Sequence, residues 1–282
     1  MNKKNILFIS PFYPHKDESP RHRAVYNHIN YFKSKNFNVT FIYLSNHEIN
    51  LNLNIEFIRL PLPSNFEVLK NIFLQIFLFK KESLQTSLYY SKSVGEYLRK
   101  MSLKKTFDII FFESIRTIPY QNYFKDSYKI LDLGDLISRR YNLLRRSKIK
   151  VNNILGQFSN KSFFLNFFLK NFFVQKIILF VEEKLIRKME IKSLKDFDKI
   201  ILVSHYEKSL LSKYSSRANV HWIPNIDLSK SLNIPKFTFN KSISYFGILN
   251  NPHNEHALIY FFENIFDKII KIDRDIIFKI FG

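Results

Sequence analysis

The sequence predicts an α/β fold, a parallel-sheet domain followed by a second and shorter βαβ segment. Three observations carry this. Short unbroken apolar runs recur, such as Ile6-Leu7-Phe8-Ile9 and Val39 to Leu44, closed by prolines or polar residues as buried parallel strands are. Stretches with apolar residues at helical spacing stand between them. A polar, proline-punctuated stretch, Pro224 to Asn240, then separates this pattern from a new start at Ile243. The expected organisation is a first domain over 1–225, a linker over 226–240, and the start of a second domain over 241–282.

Taken in order, Ile6 to Ile9 is the first strand, stopped by Pro11 and Pro14. His22 to Lys35 places Val25, Ile29 and Phe32 on one helix face, and Val39 to Leu44 returns as a strand. Strand, helix and strand in this span make a βαβ unit. Ile55 to Leu60 is a third strand, ended by Pro61 and Pro63. Phe66 to Leu98 reads as helical, and its stretch Val68 to Lys81 is strongly apolar with basic edges. That stretch suits either a bilayer interface, with lysines at anionic headgroups, or burial as an ordinary core helix. Asp108 to Phe112 and Tyr128 to Leu133 are further buried strands. Arg139 to Lys150 is a basic run without an acid, fit for phosphates or for a solvated face. Phe163 to Lys195 is helical, and its Glu182, Glu183 and Glu190 stand among Lys184, Lys188 and Lys192 as i,i+4-type pairs. Lys199 to Ser204 and Val220 to Ile223 are strands. After the linker come a strand ending at Gly247, a helix from Asn254 to about Lys271, and a strand from Ile276.

Composition narrows the chemistry. The 282 residues contain no cysteine, which excludes a disulfide framework, thiolate-bound metals and thiol catalysis. Five glycines leave almost no room for the glycine-rich phosphate loops of dinucleotide or Walker type, and neither motif occurs. No His/Asp/Glu group has the spacing of a metal site. The net charge of +20 suits nucleic acid, an anionic membrane surface or phosphorylated substrates, beside a composition that is rich in Lys, Asn, Ile and Phe throughout. No helix-turn-helix, zinc or RNP signature supports nucleic acid, so no nucleic-acid partner is expected. The apolar run after Met1 stops at Ser10-Pro11, too short for a signal peptide, and no long uncharged apolar segment spans a bilayer. A cytoplasmic protein, peripheral at the inner membrane face, is the expectation.

The order of short motifs resembles family 4-type glycosyltransferases of the GT-B fold, in the manner of bacterial sugar transferases of exopolysaccharide and lipopolysaccharide assembly. Ile6 to Leu44 resembles their first βαβ, with Arg23 at the place of the arginine opening the helix. Lys129 to Ser138, with Asp132, Asp135 and Ser138, resembles their strand and acidic loop. Glu190 to Leu211, with Val203-Ser204 and Glu207, resembles their "fD…VS…E" passage. His221 to Asn225 resembles the "viPNGvd" strand, and Gly247 with Asn254 and Ala257 the opening of the donor domain. Ile226 stands where the family has the PNG glycine, and the family's paired glutamates that contact the donor sugar lie beyond Gly282.

The resemblance implies a Rossmann-like first domain on the acceptor side, followed by the first βαβ of a Rossmann-like nucleotide-sugar domain. It implies transfer of a sugar from a nucleotide sugar to a lipid-linked or glycan acceptor, with no cofactor and no catalytic metal. Activity would await the rest of the donor domain, and a non-catalytic or split half that docks on a partner is the alternative. A GT-B epimerase stays open as another enzyme reading. In open α/β sheets ligands bind beyond the carboxyl ends of the strands. There Asp135 and Glu113 are the candidate catalytic carboxylates, to accept or orient an acceptor hydroxyl proton. Arg23, Arg139, His205 and Asn225 are candidate substrate contacts. Gly247 and the helix start at Asn254 would meet the donor diphosphate.

Overall fold

The computed structural model describes residues 3–46, 53–74, 82–146, 171–217, 219–225, 240–247, 249 and 252–281. They fall into two compact units, described separately. The first holds seven strands: β1 (Asn5–Ser10), β2 (Asn38–Leu44), β3 (Glu56–Leu60), β4 (Ile109–Glu113), β5 (Tyr128–Gly134), β6 (Lys199–Leu202) and β7 (Val220–Trp222). All pair in parallel in the order β3-β2-β1-β4-β5-β6-β7. This is the strand order of a Rossmann-like sheet, reversing direction between β1 and β4.

Burial explains the unbroken apolar runs. Ile6 to Ile9 are each at most 1% exposed, because β1 is central and covered on both faces. The register sets Phe8 beside Phe111, and their rings stack at 4.8 Å. This face also takes Val25 and Ile29 of helix α1 (Pro20–Ser34). Ser19 caps α1 by accepting from the His22 amide, and Pro20 opens the helix where its missing N–H costs nothing. On the other face Phe112 meets Phe124 and Phe197, with ring centroids 6.4 and 5.4 Å away.

The helical reading of Phe66 to Leu98 is corrected. The chain forms α2 (Asn65–Asn71), α3 (Leu84–Ser87) and α4 (Lys92–Lys104), while residues 75–81 of the apolar stretch lie outside the described residues. New caps break the run. Ser83 and Thr86 form a reciprocal capping box at α3, and the Ser91 amide donates to the Tyr120 hydroxyl at 2.9 Å. In and just after α2, Val68 is buried while Phe66, Leu69 and Phe73 are exposed. A 3₁₀ helix (Ile115–Tyr123) follows β4. Then come α5 (Ile137–Arg146), α6 (Phe172–Asp196) and α7 (His205–Ser212). Residues 147–170, which include part of the basic run and the start of the apolar segment before α6, lie outside the described residues.

The second unit pairs β8 (Ser242–Phe246) in parallel with β9 (Ile277–Phe281). Between them runs α8 (Pro252–Phe261), continued by a π-helical turn (Phe262–Phe266) and α9 (Asp267–Ile272). Phe261, Phe262 and Phe266 pack on Phe278, with centroids 4.9, 5.1 and 5.7 Å away. The opposite sheet face is open. Phe246 stacks on Phe281 at 4.8 Å, yet both rings are exposed, as is Ile277. Among the described residues no helix is long and apolar enough to cross a membrane.

Candidate functional site

The sheet reversal puts the ends of β1 and β4 side by side, so the loops after them diverge and leave a crevice. After β1, the Ser10 hydroxyl donates to the Phe12 carbonyl at 2.6 Å and shapes the turn. After β4, Ser114 takes φ +72°, a left-handed conformation costly for a side chain, and its amide donates to the Asp132 carbonyl at 2.8 Å. Arg116 follows. Its guanidinium lies over the rings of Phe12 and Tyr89, at 5.5 and 5.2 Å, and donates to Gln85 at 2.9 Å. A half-buried cation with aromatic faces beside it thus stands at the crevice.

Beneath lies a buried charge cluster. Arg21 Nε is 2.5 Å from Glu113 Oε1, a contact that is ionic by distance but leaves both Glu113 oxygens without a hydrogen bond. Arg21 also donates to the Asp132 carbonyl at 2.8 Å and lies 3.3 Å from Asp132 Oδ1. Gly134 makes the fit possible: its φ is +71°, and a Cβ there would run into the guanidinium. Burial pushes the Glu113 carboxyl well above the usual range, Arg21 opposes that, and Asp132 adds to it. Burial pulls Arg21 down, but Asp132, Glu113 and Asp135 together raise it above its ordinary value. His28, whose Nδ1 is 3.8 Å from Asp132 Oδ2, is pushed down by burial, an effect that Asp132 opposes and Arg21 reinforces. His28, Glu113 and Asp132 each bring one ligand atom within 4.8 Å of the others, a metal-like grouping that sequence spacing did not reveal. Arg21 already supplies the positive charge these carboxylates need.

The sequence-predicted residues divide as follows. Glu113 and Asp135 stand at the carboxyl ends of β4 and β5, and His205 opens α7 after β6. Glu113 is 1% exposed, whereas Asp135 is accessible and pairs with Arg140 at 3.2 Å. His205 meets the Trp222 ring edge-on at 5.4 Å, and the Trp222 indole N–H donates to the Val203 carbonyl. Arg139 pairs with Glu207 at 3.5 Å and covers the Tyr206 ring. Arg23 is not brought to the carboxylates; its Nε donates to the Lys16 carbonyl in its own loop. Arg21 takes that place. The signal was available, because Arg21 precedes Val25 and Ile29 on the same helix face at spacings of four. Arg116 had no comparable signal.

The amides opening α5 are not free for a phosphate. Leu136 N–H donates to Glu207 and Ser138 N–H to Glu190, while the Ser138 hydroxyl donates to Glu190 at 2.5 Å. The i,i+4 pairing expected of the α6 glutamates is thereby corrected. Glu190 caps α5, Glu182 accepts from the Leu84 amide of α3 at 2.6 Å, and Glu183 pairs with Arg145 at 2.9 Å. Burial pushes both Glu182 and Glu190 up to about 7.

Two cavities accompany these groups. One of about 570 Å³ lies on the α1 side of the sheet, among His28, Phe32, Phe111, Ile201, His221 and Asn225. Asn225 is there an exposed rim residue. Another, about 760 Å³ and polar, lies at the amino-terminal strand edge near Asp108, Tyr128 and Asp198, away from the converging loops. In the second unit, Gly247 follows β8, where a Cβ would stand 3.1 Å from Asn254 Nδ2 and from the Tyr245 hydroxyl. The Tyr245 hydroxyl donates to the Asn254 carbonyl at 3.0 Å, within the first turn of α8.

Fold and site together define a Rossmann-like α/β protein with its polar groups gathered at the carboxyl edge of the sheet. No protein-family model matches the sequence, and no curated protein matches it. Among solved structures it is similar to an α,α-trehalose-phosphate synthase (UDP-forming) from Burkholderia vietnamiensis, at 9% identity and a TM-score of 0.40, covering 76% of this chain and 42% of that one. It is similar also to a UGT transferase from Siraitia grosvenorii in complex with UDP, at 13% identity and a TM-score of 0.42, covering 99% and 71%. A third is Os79 from O. sativa in complex with U2F and trichothecene, at 9% identity and a TM-score of 0.38, covering 73% and 50%. The chain spans less than half the length of the Burkholderia vietnamiensis protein. These are likenesses in outline, and the fold assignment rests on the strand order itself.

Proposed function

We propose that this chain is the acceptor-side part of a GT-B-type glycosyltransferase with the first βαβ of its nucleotide-sugar domain. It would move a sugar from a nucleotide sugar to a lipid-linked or polysaccharide acceptor in cell-surface glycan synthesis. The observation that carries the reading is the crevice at the β1/β4 reversal, because the motifs resembling family 4 transferases frame it and the neighbouring strand ends. Asp135, accessible at the end of β5, is the residue placed to accept or orient an acceptor hydroxyl proton. Glu113 is buried against Arg21, away from an incoming acceptor, and serves to position that guanidinium. Arg116 supplies positive charge for a phosphorylated acceptor after β4, and Arg139 and His205 follow the next two strands of the sheet, β5 and β6. Gly247 and Asn254 would serve the donor by opening a helix N-terminus at the end of β8. No metal enters this scheme.

The test compares wild-type and Asp135→Asn forms of the natural full-length protein. Nucleoside diphosphate release is measured from a panel of nucleotide sugars with lipid-linked acceptors present. Wild type should turn over one of them, and the variant should be slower by about 100-fold or more. Equal rates would remove Asp135 from the mechanism, and no turnover by wild type on any donor would sink the reading. The open sheet face of the second unit favours one further reading, a transferase half that acquires its covering layer by docking on a partner.

A further inference from the structure

Strands β4 to β7 are added to the sheet in one direction, so right-handed crossovers carry the intervening helices to the face opposite α1. On the α1 face this leaves β5, β6 and β7 without a covering helix among the described residues. Strand alternation turns Ile130, Ile201 and His221 to that face, and helical spacing turns Ala24, His28 and Tyr31 of α1 toward them. Between them lies the cavity of about 570 Å³, a volume typical of small-molecule sites, with a wall mostly of carbon. Its polar groups are incompletely bonded. His28 Nδ1 is buried, has no hydrogen-bond partner, and stands 3.8 Å from Asp132 Oδ2, too far to bond it. Asp132 Oδ1, in contrast, already accepts from Arg21 and from the Gly134 amide. On the β7 wall His221 Nε2 is also buried without a partner.

We propose that this cavity binds an uncharged, apolar ring compound that carries a hydroxyl group. The ring fills the space bounded by Phe32, Phe111 and Ile201. The hydroxyl enters between His28 Nδ1 and Asp132 Oδ2. With the imidazole proton on Nδ1, the histidine donates to the hydroxyl oxygen and the hydroxyl donates to the carboxylate, so one group completes both. An anionic ligand does not fit. The described lining residues carry one fixed charge of each sign, Asp132 and Lys199, and the unfilled carboxylate oxygen beside His28 repels an anion. Phosphate, nucleotide and lipid have no part in this binding, so loss of the transferase reading leaves it standing.

The experiment is equilibrium dialysis of the 282-residue chain against 2-naphthol and, separately, against naphthalene, which has the same rings and no hydroxyl. Wild type should bind 2-naphthol saturably and at least about tenfold more tightly than naphthalene, against the order of their hydrophobicity. His28→Phe keeps a ring beside Phe111 but removes the nitrogen. It should weaken 2-naphthol at least about tenfold and leave naphthalene within about twofold. Ile223→Trp, at a wall position that is 41% exposed, places a larger side chain in the space and should weaken both ligands at least about tenfold. Circular dichroism and melting midpoints matching wild type show that the variants fold, and Ile223→Trp carries the test where His28→Phe does not fold. No saturable binding by wild type, equal or reversed affinity for the two ligands, or unchanged 2-naphthol binding by either folded variant overturns the proposal.

Discussion

Arg21 is held between two carboxylates that would otherwise be buried charges without a counter-ion. The two ways of breaking the cluster are therefore unequal. Arg21→Met leaves both Glu113 and Asp132 uncompensated, and should cost about 3–5 kcal/mol in urea unfolding. Glu113→Gln replaces a carboxyl that burial already pushes toward its neutral form, and keeps the Asp132 partner of Arg21. It should cost less than Arg21→Met; the reverse order would show that Glu113, not Asp132, anchors the arginine. Legibility at this scale follows sequence distance. Arg21 was readable from the helix face it shares with Val25 and Ile29, although Arg23 matched the motif. The burial of Glu113 was not readable, because it depends on a helix and on a strand far away in sequence. Asp135, in contrast, sits where the strand-edge rule put it, since that rule needs only the end of a strand.

Strands such as β1 and β4 were legible because a strand buried on both faces cannot alternate polar and apolar residues. The breaks at Ser83 and Ser91 were not, because apolar content hides caps whose partners, Tyr120 among them, come from elsewhere. The α6 glutamates mislead for the same reason: local spacing offers lysines, while tertiary structure offers the undonated amides of α3 and α5. This has a consequence for pH. The Glu190 carboxyl is raised by burial to about 7 in the folded protein, so folding takes up protons between the ordinary carboxylate range and about pH 7. Its contribution is fully present below that range and is lost as pH rises through about 7. Glu190→Gln, which preserves an acceptor for Ser138, should therefore gain stability on wild type between pH 5 and pH 8. The shift is on the order of 3 kcal/mol at most, read from urea unfolding at both pH values. A pH-independent difference would mean that Glu190 stays ionised.

Across the whole molecule the two units differ in how well they are covered. The seven-stranded sheet buries β1 and β4 almost completely, whereas β8 and β9 have one helix layer and an open aromatic face. Two parallel strands are marginal without further cover. Amide hydrogen exchange should therefore protect β1 and β4 with close to the global free energy, while β8 and β9 exchange orders of magnitude faster. Equal protection would show that something already covers Phe246 and Phe281. Trp222 adds one more property. It is the single tryptophan of the chain, half exposed, leaning on His205 beside the loops at the carboxyl edge of the sheet. The protein thus carries its own fluorophore at the place where substrate is expected. Emission excited beyond the tyrosine band comes from this one indole, so occupancy of the edge is readable as a change in intensity or colour, without any added label.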